Sequence, residues 1–274
     1  MINLSRVCSL LVVVYLASGV TAIQAQQQPR TLIVKSGSLK LRALLWQPKG
    51  DGPFPAVLFS PGSGLQPRPE IIGPLFARHG YVFLGLFRSG QGLSGGQGAE
   101  TSARVEAERE AKGDDSANLL QLKLLEGEQF DQSISALALL RSMKIVDSRR
   151  VAVVGHSFGG LLAMLLAEHD PSIRAVANFG GGARSWPRSS YLRDRLIVAT
   201  KKLTTPVLFL QATNDYSTAP TEVLAAELAR QGKIQQTRIY PAFGKTPGEG
   251  HSIIYLSIPT WEHDVFQFLD LYIK

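Results

Sequence analysis

Short apolar runs bounded by turn residues recur along the chain, and stretches of helical periodicity separate most of them. Residues 31–35 and 39–46 predict two strands joined by the turn Ser36-Gly37-Ser38. A Pro- and Gly-rich loop precedes a buried strand at 56–59, and 81–87 predicts another. Between them a helix is expected over 74–79, with Pro74 in its first turn and Gly80 as its stop. Further strands are predicted at 151–154, 175–179, 207–211 and 237–240. Helical periodicity marks 130–143, the run after Ser157, 221–231 and 261–273. In the first of these Ile134, Leu137 and Leu140 make an apolar face, with Asp131 or Ser133 as cap. Two segments break the rhythm: 100–128, of mixed charge, and 184–202, basic and aromatic, both read as helical insertions. Strands alternating with helices predict an α/β fold with a mostly parallel central sheet covered on both faces. In such sheets chemistry collects in the loops after the carboxyl ends of strands.

One junction carries a chemical signature. The apolar run 151–154 ends in Gly155-His156-Ser157-Phe158-Gly159, and an apolar helix follows at once. This is G-x-S-x-G in a strand–turn–helix setting, which presents the serine hydroxyl above the sheet. A serine that merely caps the helix is the plainer alternative. A serine hydroxyl needs a base to become a nucleophile, and the base needs an orienting carboxylate. In this layout acid and base follow the serine in that order. His251 lies in a Gly/Pro loop after the last strand, whereas His263 lies between Glu262 and Asp264 on the terminal helix and reads as solvated. Asp215 leaves the penultimate strand, although an Asx-turn would also place an aspartate there. The oxyanion donors are expected to be the N–H of Phe158 and that of Gly62 or Ser63. Trp186, Tyr191 and Arg188 are candidates for the substrate pocket, with Arg184 or Arg188 meeting a carboxylate, unless they pack the insertion itself.

Composition narrows the class. The chain has 274 residues, 45% hydrophobic and 19% charged, as in an ordinary globular protein with a sizeable core. The net charge of +7 comes without a Lys/Arg run or a nucleic-acid module, so no nucleic-acid partner is expected. Residues 1–25 combine Arg6, a short apolar core and small residues near Ala22 and Ala25, the pattern of a secretory signal peptide. The apolar core is too short for a stable membrane span, so an exported protein comprising 26–274 as one domain is expected. Cys8, the only cysteine, falls inside that segment, and no His/Asp/Glu spacing suggests a metal. Gly90-Gln91-Gly92-Leu93-Ser94-Gly95 matches G-x-G-x-x-G but lacks an immediate apolar helix for a pyrophosphate, so no cofactor is expected.

Together these residues resemble the α/β-hydrolase superfamily, and within it the dienelactone-hydrolase-like serine esterases. The resemblance rests on the Ser157 turn with its lead-in from Asp147 to Arg150, on Asn214-Asp215 with Pro220, and on Gly250-His251. Arg88-Ser89-Gly90-Gln91-Gly92-Leu93-Ser94 is similar to the family's Arg-Gly-x-Gly-x-Ser loop, with Ser89 in place of a glycine. It implies a Ser157–His251–Asp215 triad hydrolysing a small-molecule ester through an acyl-enzyme. Dienelactone hydrolases proper use cysteine, and the superfamily's oxyanion loop often begins His-Gly where this chain has Ser60-Pro61. Peptide cleavage or acyl transfer on the same triad, or a binding role on the same fold, are the alternatives.

Overall fold

The apolar runs pair edge to edge in a computed structural model that describes residues 28–274, so the expected signal segment lies outside the described residues. Eight strands form one sheet: β1 (Arg30–Ser36), β2 (Leu39–Trp46), β3 (Phe54–Ser60), β4 (Val82–Phe87), β5 (Val146–His156), β6 (Ala175–Phe179), β7 (Val207–Ala212) and β8 (Gln235–Tyr240). Their spatial order is β1-β2-β4-β3-β5-β6-β7-β8. The β1–β2 and β2–β4 pairs are antiparallel and all others parallel. Strands β4, β6 and β7 are buried at every position, as a sheet covered on both faces requires. The edge strand β8, Gln-Gln-Thr-Arg-Ile-Tyr, is only half-buried throughout.

Nine helices among the described residues complete the chain: α1 (Pro69–Arg78), α2 (Thr101–Glu126), α3 (Glu128–Arg141), α4 (Phe158–His169), α5 (Ser190–Lys202), α6 (Ala219–Arg230), α7 (Pro247–His251), α8 (Ile253–Leu256) and α9 (Ile258–Ile273). Two cores sit on opposite faces of the sheet. Leu137, Leu140, Leu161, Leu196 and Leu224 bring α3 to α6 onto one face. Ile72, Phe76, Ile254, Trp261 and Phe266 bring α1, α8 and α9 onto the other.

Three local expectations change. Helix α1 starts at Pro69, so Pro74 lies inside it rather than in its first turn. Burial of Ile72, Leu75 and Phe76 offsets the backbone bond that the proline lacks. Helix α3 starts at Glu128 with no side-chain cap, leaving Asp131 and Ser133 within it. Ser133 donates instead to the Gln129 carbonyl at 2.8 Å. His251 ends a short helix rather than sitting in a loop, because Thr246 and Glu249 form a reciprocal capping box. Among the described residues, no helix is long and apolar enough to cross a membrane.

Candidate active site

The carboxyl ends of β3, β5, β6 and β7 converge on Ser157. At the end of β5 the chain turns so sharply into α4 that Ser157 takes φ 56° and ψ −121°. It is the only non-glycine residue with positive φ among the described residues, a strained geometry that points to function. The flanking glycines are steric necessities. A Cβ on Gly155 would run into the Gly159 carbonyl, and one on Gly159 into the Ser60 carbonyl. The turn is thus wedged between α4 and the exit of β3, and Gly62 lies against the nucleophile position. Its Cβ, were it present, would sit 3.3 Å from that of Ser157.

Asp215 follows β7 with its side chain almost fully buried. His251 Nδ1–H donates to Asp215 Oδ1 at 2.8 Å and Oδ2 at 3.0 Å. Gln211 Nε2 donates to Oδ2 at 2.8 Å and the Tyr216 N–H to Oδ1 at 2.6 Å, so the carboxylate is held from three sides. Asn214 staples this loop to the segment leading into α7, which ends at His251: it accepts from the Phe243 N–H at 2.9 Å and donates to the Phe243 carbonyl at 2.8 Å.

Gly180, at the end of β6, joins the two halves. The Ser157 N–H donates to the Phe179 carbonyl at 2.9 Å. A Cβ on the next residue, Gly180, would lie 2.7 Å from Asp215 Oδ2 and 3.3 Å from His251 Nδ1. Among the described residues no hydrogen bond joins the Ser157 hydroxyl to His251. In unliganded sites such bonds are commonly long and tighten around substrate.

Phe158 opens α4, and its N–H has no acceptor among the described residues, nor do those of Gly62 and Ser63. These are the three expected oxyanion donors. His156 is buried, which pushes its imidazole down to about 3 and keeps it neutral. Rings of His156 and His251 lie 4.8 Å apart between centroids.

Above Ser157 opens a cavity of about 380 Å³, a size suited to a small ligand. Ser63, Phe158 and Leu161 form part of its floor, while the first turns of α2 and the segment 182–188 form its walls. Asn118 and Gln121 clip those walls together, donating to the Arg188 carbonyl at 2.8 Å and to Ser185 Oγ at 3.0 Å. Both insertions therefore border the mouth. Arg109 is paired with Glu106 and Asp114. Arg184 and Arg188 line the cavity without a carboxylate partner among the described residues.

Trp186 and Tyr191 are packing residues. Trp186 is buried in the core beneath the cavity, and Tyr191 donates to Asp115 Oδ1 at 2.9 Å across the contact of α5 with α2. His263 is exposed on α9. Sequence reasoning noted Arg88 and Gln91 in the loop that is similar to Arg-Gly-x-Gly-x-Ser but gave them no role; both are buried beneath the β3 exit loop. An arginine closing the all-apolar strand β4 was the further signal. Among the described residues no group of three His, Cys, Asp or Glu side chains is disposed to hold a metal ion.

Residues 41–252 match the family model described as the dienelactone hydrolase family. No curated protein shows significant sequence similarity to the chain. Solved structures do. The acylaminoacyl peptidase of Pyrococcus horikoshii superposes with a TM-score of 0.64 at 17% identity, covering 90% of this chain and 42% of that one. The chain thus spans less than half the length of that peptidase. A dienelactone hydrolase-like promiscuous phosphotriesterase from metagenomic libraries gives 0.62 at 17% identity, covering 90% and 99% of the two chains. An esterase of Pyrococcus furiosus gives 0.64 at 13% identity, covering 90% and 92%. At such identities the likeness is one of fold.

Proposed function

Because the chain belongs to the dienelactone hydrolase family, we propose that it is a serine hydrolase cleaving carboxylic esters through an acyl-enzyme intermediate. The observation that carries this reading is the Asp215–His251 hydrogen bond lying against Gly180, next to the carbonyl that holds the Ser157 N–H. Ser157 Oγ attacks the ester carbonyl carbon as its proton passes to His251 Nε2. Asp215 accepts from Nδ1–H, holding the tautomer that leaves Nε2 free and stabilising the imidazolium. The N–H of Phe158 and that of Gly62 or Ser63 bind the oxyanion. Collapse of the tetrahedral adduct expels the alcohol, which takes the proton from His251. Water then gives a proton to His251 and attacks the acyl carbon. The second adduct releases the carboxylic acid and returns the proton to Ser157.

The preferred esters carry an anionic group, which Arg184 and Arg188 meet in the cavity. The reaction asks for no cofactor or metal, and export follows from the pattern of residues 1–25.

A short-chain nitrophenyl ester and an aminoacyl anilide, tested with wild type and Ser157→Ala, decide the reading. Ester turnover that falls by about 10⁶-fold in the variant is expected. Anilide turnover alone would make the protein a peptidase, and ester turnover surviving in the variant would remove Ser157 as nucleophile.

A further inference from the structure

Arg88 closes β4 and is completely buried, 0% exposed. A buried guanidinium is costly unless its donors are satisfied and its charge is compensated. No carboxylate pairs with it among the described residues; its hydrogen bonds run elsewhere. Nε donates to Gln129 Oε1 at 2.9 Å. Nη1 donates to Ser60 Oγ at 3.2 Å and to the Pro61 carbonyl at 2.9 Å, and Nη2 to the Gly62 carbonyl at 2.7 Å. The guanidinium also lies over the Phe158 ring, 5.5 Å from its centroid.

Apart from Gln129, these contacts all fall on the two segments that carry the oxyanion donors. Peptide planarity makes this consequential. In a trans peptide the carbonyl of one residue and the N–H of the next point in opposite directions. Holding the Pro61 carbonyl therefore fixes the direction of the Gly62 N–H, and holding the Gly62 carbonyl fixes that of Ser63. Gln91 completes the brace: its Nε2 donates to the Gly62 carbonyl at 2.8 Å and the Gly64 carbonyl at 2.7 Å, and its Oε1 accepts from the Arg88 N–H at 3.1 Å. Ser102 ties the next carbonyl, donating from Oγ to Ser63 at 3.0 Å.

We propose that Arg88 is the positioning residue of the oxyanion hole. It draws the Pro61 and Gly62 carbonyls inward, so that the N–H groups beyond them face the position above Ser157. Its stack on Phe158 seats the opposite donor. The buried charge also polarises the peptides it holds, strengthening their outward N–H groups. Burial lowers the guanidinium to about 9, so it stays charged at neutral pH. The proposal rests on the serine-hydrolase reading above.

The test is ester kinetics of Arg88→Met, Arg88→Lys and Gln91→Leu, normalised to active sites titrated with a fluorophosphonate. It is paired with inhibition by a trifluoromethyl ketone, whose adduct carries the oxyanion. Arg88→Met is expected to lower kcat by about 10²-fold, the scale of one lost oxyanion donor, with KM nearly unchanged. The ketone's inhibition constant should rise by the same factor as kcat/KM falls. Arg88→Lys, which keeps charge but not the fork, should lose part of this, and Gln91→Leu about tenfold. If Arg88→Met does not fold, the other two variants decide alone. Values of kcat per titrated site and ketone affinity within about twofold of wild type, with only Tm lowered, would overturn the positioning role. Turnover surviving in Ser157→Ala would instead overturn the serine-hydrolase reading and this proposal with it.

Discussion

His156 donates its Nε2–H to the main-chain carbonyl of His251 across 2.9 Å, so the residue before the nucleophile anchors the backbone of the base. A carbonyl only accepts, which sets the tautomer of His156. Neutral because it is buried, His156 also spares the site a second imidazolium beside His251.

Replacing His156 with leucine leaves the His251 carbonyl without its donor. The expected cost is up to about tenfold in kcat, the scale of one hydrogen bond, in steady-state ester assays. A pH signature accompanies it. The folded state keeps His156 neutral down to about pH 3, while the unfolded chain binds a proton from about 6.5 downward. The unfolded state therefore holds more protons between those values, and stability rises with pH across that window. The contribution is complete above pH 6.5 and is lost as pH falls toward 3, with a slope of about 1.4 kcal/mol per pH unit at most. Denaturant melts at a series of pH values should show a shallower slope for His156→Leu than for wild type.

Asp215→Asn keeps the shape of the carboxylate but presents an amide where three N–H groups converge. The imidazole then loses its acceptor and the tautomer that frees Nε2. A fall of about 10⁴-fold in kcat is expected, with KM little changed.

Ser157→Gly exchanges activity for stability. Glycine adopts φ 56° without the strain a Cβ imposes there. After allowance for the freer unfolded chain, a gain of about 1 kcal/mol is expected, seen as a Tm higher by about 2–4 °C. Hydrolysis should vanish in the same sample.

Arg184 and Arg188 set the charge preference of the cavity. In Arg184→Ala/Arg188→Ala, kcat/KM for an ester bearing a carboxylate should fall by about 10–100-fold, the worth of a charged hydrogen bond. A neutral ester of equal length should be turned over as before. Equal losses on both esters would assign the two arginines to packing.

Local chemistry made much of this molecule legible from its residues in order. The central strands β3, β4, β6 and β7 and the end of β5 stand where apolar runs meet turn residues, because burial on both faces demands continuous Val, Leu, Ala and Phe. Gly155 and Gly159 announce the turn at Ser157, since nothing larger fits against the neighbouring carbonyls. Asp215 and His251 follow strand ends in the expected order, and they are hydrogen-bonded. The remainder depended on contacts between distant positions, which local periodicity does not encode. Arg88 reaches the Gly62 carbonyl across 26 positions, and His156 reaches that of His251 across 95. Trp186 and Tyr191 read equally well as pocket or packing, because an aromatic side chain is apolar to either. Only the folded chain separated them: Trp186 is buried in the core ahead of α5, Tyr191 reaches Asp115 on α2, and Arg188 is left at the cavity.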